Sequence, residues 1–96
     1  MSHEYDPFPS SPEEVISPQQ ARHVLFQFGA TGGYEGGSFT SHLLSTIAVA
    51  DTSNRALLSR GFPGYVAAVN LAQGDMKGIE KLQLIAVHPG EPNRAE

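Results

Sequence analysis

The chain has no cysteine and no tryptophan, and charged residues make up only 17% of its 96 positions. Without cysteine, neither a disulfide nor a thiolate zinc site can form. Positive charge is the scarcer sign: six Lys and Arg stand against ten Asp and Glu, for a net charge of −4. Arg22, Arg55, Arg60, Lys77, Lys81 and Arg94 are scattered, and nucleic acid repels an acidic chain whose few cations do not gather on one face. Long apolar runs are missing too; none approaches the roughly 18 to 20 residues that span a bilayer. The opening MSHEYDPFP has neither the basic region nor the apolar stretch of a signal peptide. A soluble, cytoplasmic protein is expected, with no membrane and no nucleic-acid partner.

What is present is a 40% hydrophobic content, enough for one modest core. Pro7, Pro9, Pro12 and Pro18 crowd the start, so residues 1–16 read as a flexible Pro-rich arm with one turn at Pro12-Glu13-Glu14-Val15. Pro89 and Pro92 make 89–96 a flexible tail. Between them, 17–88 read as a single all-α domain of four or five short helices. Ser17-Pro18-Gln19-Gln20 is a helix start, with a capping serine, proline at the first helical position and glutamine where a capping box needs it. The helix over 18–28 carries Ala21, Val24, Leu25 and Phe28 on one face and Arg22, His23 and Gln27 on others; Gly29 ends it. Ser38 caps a helix over 39–50, and Asp51 or Thr52 caps one through Arg60, ended by Gly61. Phe62-Pro63 opens a helix over 63–73, and Asp75 caps a last one over 76–87.

Segments 39–50 and 63–73 contain no Lys, Arg, Asp or Glu and are expected at the centre, with 18–28 and 76–87 outside. The expected core is Val24, Leu25, Phe28, Phe39, Leu43, Ile47, Leu57, Leu58, Phe62, Val66, Val69, Ile79, Leu82 and Ile85. A chain this short surrounds two apolar helices poorly, so a protein partner or a homodimer covering Tyr65 or Leu71 with Phe26 is also expected.

The run VLFQFGATGGYEGGSFTSHLL, Val24 to Leu44, imitates the start of a dinucleotide-binding crevice. That fold needs Val24–Phe28 to be a buried strand, whereas the capping signal upstream makes it a helix. The glycine after GATGGYE, Gly36, also comes one residue late. A packing role for the glycines is the stronger reading. A small-ligand or nucleotide binder using the Gly29–Ser38 loop, with Gly32, Gly33, Gly36, Gly37 and Ser38 as an anion site beside a helix N-terminus, stays as the alternative.

No other constellation carries chemistry. His3, His23, His42 and His88 lack the spacing of a helical metal pair and read as surface residues, so no metal or cofactor is expected. No nucleophile elbow surrounds any serine, and Glu13 and Glu14, being adjacent, point apart. An enzyme is not expected. A DNA-binding regulator is a further alternative, but PGYVAAVNLAQ offers Asn70 and Gln73 and no cation. The aromatics Phe26, Tyr34 and Tyr65 are the candidate partner-binding residues.

The segment GSFTSHLLSTIAVADTSNRALLSRGFPGYVAAVNLA, with ARHVLFQFG upstream and GIEKLQLIA downstream, resembles a group of small proteins encoded by actinobacterial phages. The resemblance spans about residues 21–86 and includes no catalytic motif, so it transfers no site residues. It implies a bacterial cytoplasm as the setting and a phage accessory protein that binds a host or phage protein.

Overall fold

The structure, a computed structural model, describes residues 12–87. The expected tail over 89–96, most of the arm over 1–16, and His3 and His88 lie outside them. A short 3₁₀ turn, Pro12–Val15, leads into five helices: α1 Pro18–Gln27, α2 Ser38–Val49, α3 Thr52–Gly61, α4 Pro63–Gly74 and α5 Gly78–Ala86. No strand occurs among the described residues, so the protein is all-α. None of their helices is long and apolar enough to cross a membrane.

Local chemistry sets most of the boundaries. Gln20 N–H donates to Ser17 Oγ and Ser17 N–H donates to Gln20 Oε1, both at 3.0 Å, closing the capping box at α1. At its other end Gly29 takes φ 70°. Ala30 N–H reaches back to Leu25 O and Gly29 N–H to Phe26 O, the paired bonds of a Schellman stop. Asp51 Oδ1 accepts from Asn54 N–H at 2.8 Å and starts α3. Two caps fall differently from expectation. Gly37, not Ser38, is the N-cap of α2, and Ser38 is its first helical residue. Asp75 Oδ1 accepts from Lys77 N–H, which shapes a turn, so α5 begins only at Gly78. Lys81 Nζ then bonds Asp75 Oδ2 at 2.8 Å and lies 3.6 Å from Glu13 Oε2, tying α5 to the 3₁₀ turn.

Helix α4 is central, packing on α1, α2, α3, α5 and the 3₁₀ turn. The second inner position belongs to α1, which touches α2, α4 and α5, and not to α2 as its lack of charge implied. The core holds Val24, Leu25, Leu43, Ile47, Val66, Val69 and Leu82, as expected. Ile16, Ala21, Leu44, Ala67, Ala68, Leu71 and Ala86 join it. Ile16 thus belongs to the folded body and not to the arm in which the proline pattern puts it, and Leu71 is covered by this chain's own helices. Leu58, Phe62, Ile79 and Ile85 pack against the core from its margin. Phe28, Phe39 and Leu57, expected inside, are exposed. Phe28 lies past the last helical turn, where the periodicity that placed it no longer holds. Phe39 sits in the first turn of α2 and rests on Phe62, ring centroids 6.1 Å apart. Leu57 is exposed because α3 lies against α4 at the edge of the bundle and buries no residue fully.

Candidate functional site

The glycine loop between α1 and α2 folds back along α1. Tyr34 N–H donates to Arg22 O at 3.2 Å. Gly33 lies so close to the α1 backbone that a Cβ there would collide with Phe26 N and Arg22 O. A Cβ at Gly36 would fall 2.8 Å from His23 Nδ1. These two glycines therefore serve close approach of one backbone to another helix and to an imidazole. Val24–Phe28 is not a strand but mostly helix α1, so the loop lacks the strand–turn–helix setting of a dinucleotide fingerprint.

His23 lies at the centre of the arrangement. Expected at the surface, it is 7% exposed, enclosed by α1, the loop and α4. Its Nδ1 is 2.8 Å from Tyr65 Oη, a hydrogen bond whose direction follows the imidazole tautomer. The two rings are nearly parallel, with centroids 6.0 Å apart. That separation lies in the range of offset stacking. Tyr34 meets the imidazole edge-on, centroids 5.6 Å apart. Burial pushes the His23 pKa below its ordinary value, because the charged form is desolvated.

Arg22 lies beside it. Its guanidinium carbon stands 5.9 Å from the Tyr34 ring centroid, and Nη2 donates to Ala86 O, the last residue of α5, at 2.6 Å. One cation thus serves an aromatic face and a helix C-terminus together.

The three candidate aromatics separate. Phe26 and Tyr34 are 48% and 47% exposed; Phe26 lies on α1, one turn beyond the carbonyl to which the loop residue Tyr34 is bonded. Tyr65 is half-buried and spends its hydroxyl inward on His23. Sequence reasoning missed His23 as an organising residue. The available signal was its place directly before Val24 and Leu25 on the buried side of α1.

A second cleft, of about 630 Å³, opens between α3 and α4 and is lined by Asp51, Thr52, Arg55, Ser59 and Asn70 among others. Arg55 donates to Asn70 Oδ1 at 2.8 Å and to the carbonyls of Ala48 and Ala50 at 3.2 and 3.3 Å. It is thereby committed to holding the C-terminal end of α2. Among the described residues no three His, Asp or Glu side chains converge as metal ligands. No protein family, curated protein or solved structure matches the chain.

Proposed function

We propose that the protein is a non-enzymatic module that binds another protein through the end of α1 and the glycine loop. The observation that carries this is the paired display of Phe26, on the last turn of α1, and Tyr34, on a loop pinned to α1, each about half exposed. The Tyr34 ring packs against Arg22 and, in a T-shaped pair, against His23. An aromatic already fixed in place loses little conformational entropy when a partner covers it. Tyr65 belongs to the support of this surface and not to its face. A bacterial cytoplasm, with a host or phage protein as partner, is the setting that the resemblance to phage-encoded proteins implies.

The test is affinity capture from a bacterial host lysate, followed by direct titration of any captured protein. Phe26→Ala and Tyr34→Ala should each abolish capture while Leu84→Ala, exposed on α5, leaves it intact. Capture that survives both variants would refute the assignment.

A further inference from the structure

We propose that His23 is a pH-operated latch for the Tyr34 loop: protonation of its imidazole releases the loop from α1 and withdraws Tyr34 from the partner surface. The consequence for binding rests on the reading of Phe26 and Tyr34 given above; release of the loop itself does not. The imidazole is walled in by α1, by α4 and by the loop over 29–37. Two of these walls are fixed by core residues, Ala21, Val24 and Leu25 on α1 and Val66, Ala68 and Val69 on α4. In the loop no residue is buried. Beyond its stop at Gly29 it is tied down by single hydrogen bonds, from Tyr34 N–H to Arg22 O at 3.2 Å and from Gln83 Nε2 to Thr31 O at 3.0 Å. If the imidazole must reach water, the loop is the wall that costs least to move.

The drive to move comes from what surrounds a charged imidazole in this place. At 7% exposure His23 would hold its charge almost out of water. The titratable and charged groups around it are Tyr65 from α4, Tyr34 from the loop and Arg22 from α1. Helix α2 brings the methyl group of Thr40 up to Gly36. Neither tyrosine ionises in acid, and Arg22 is itself a cation. No carboxylate of the described residues pairs with His23. Hydration is therefore what a charged ring lacks, and Gly36, where a Cβ would fall 2.8 Å from Nδ1, stands across its path. The lowered pKa of His23 is the same imbalance seen from the proton's side. A state with the loop lifted hydrates the ring and binds the proton more tightly. Acid then favours that state by up to about tenfold per pH unit between 6.5 and the lowered pKa. A loop so lightly tied lies near balance, so a shift of this size changes which state prevails.

Amide exchange of Tyr34 in the full chain, followed by NMR between about pH 7.5 and 5, tests the latch. It is expressed as a protection factor, which divides out the chemical pH dependence of exchange. Protection of Tyr34 should lie at least about tenfold below that of Val69 at every pH, and should fall roughly tenfold on acidification. His23→Gln should abolish the fall, whereas Glu35→Gln, which removes the exposed carboxylate next to Tyr34, should retain it. If His23→Gln does not fold, the His23 ring signal in the unaltered chain decides, and its titration midpoint should lie below 6.5. A midpoint at or above 6.5, flat protection of Tyr34, protection equal to that of Val69, or a fall lost in Glu35→Gln would each overturn the latch. Affinity for a captured partner should drop in acid with the fraction of closed loop. Equal affinity at both ends of the pH range, while protection is lost, would overturn the regulatory role. A lysate that yields no partner at either pH defeats the partner reading instead, and the exchange result still decides the latch.

Discussion

Nδ1 of His23 and the hydroxyl of Tyr65 meet at 2.8 Å across 42 positions of sequence. This bond joins α1 to α4 at the point where the glycine loop closes over both. It gives a buried imidazole nitrogen a partner that the loop, with no side chain at Gly36, could not supply. Tyr65→Phe keeps the ring and removes the bond, and should cost about 1–2 kcal/mol in urea unfolding. A loss of only a few tenths would mean that water replaces the hydroxyl without penalty.

The pH dependence of stability follows from burial of His23. Its pKa is lowered in the fold, so the unfolded chain takes up the proton first as pH falls. Stability is therefore complete above the ordinary value of 6.5 and declines as pH drops from there toward the lowered pKa. Melting temperature should fall between neutral and mildly acidic pH, and His23→Gln should flatten that slope. Asp75 acts lower on the scale. The side-chain bond from Lys81, followed by the backbone bond from Lys77, holds its pKa below 3.8. That contribution persists above 3.8 and is lost only as pH falls below it. A melting temperature level down to about pH 4 would contradict the assignment of His23 as a buried neutral imidazole.

Glycines of the same composition should respond in opposite directions. Gly33→Ala and Gly36→Ala force a methyl against the α1 backbone and the imidazole, and each should destabilise by about 1–3 kcal/mol. Gly61, the last residue of α3, has open space where a methyl group would stand, with nothing within 4 Å. There, Gly61→Ala should be neutral or stabilising by up to about 1 kcal/mol. Equal effects at the three sites, measured by thermal melts, would show that the loop is not seated on α1.

Two leucines of α5 test the core assignment. Leu82 is fully buried and Leu84 is 70% exposed. Leu82→Ala should cost about 2–5 kcal/mol through lost burial and the cavity left behind. Leu84→Ala should stay within about 0.5 kcal/mol, as surface changes do. Chemical denaturation of the two variants side by side decides it, and a reversed order would place the inward face of α5 elsewhere.

Helix starts and stops are legible wherever one residue's chemistry decides them. Ser17 with Gln20, Gly29, Asp51 and Pro63 each act on backbone groups within a few positions, so no tertiary information is needed to place them. Ser38 and Asp75 mislead because a residue able to cap does so only when it stands just outside the first helical residue, and that boundary falls elsewhere in both cases. Gly37 takes the first role, and an intervening turn displaces the second. The candidate site is half legible: Phe26 and Tyr34 stand out as aromatics beside glycines, while nothing in the spacing of the histidines moves His23 off the surface.

By itself, then, the sequence determined an all-α chain and most of the places where its helices begin and end, because capping and φ restriction are local. It also marked half of the buried apolar positions, because a 3.6-residue period identifies the apolar face of a helix. Only the tertiary structure decided which helix is surrounded and which lies at the edge, since that depends on contacts between distant segments. The absence of charge on α2 did not make it central; the inner position went to α1, which packs on α2, α4 and α5. In the same way, the sequence could assign the five glycines between α1 and α2 a packing role, but only the fold showed that Gly33 and Gly36 are the ones laid against α1.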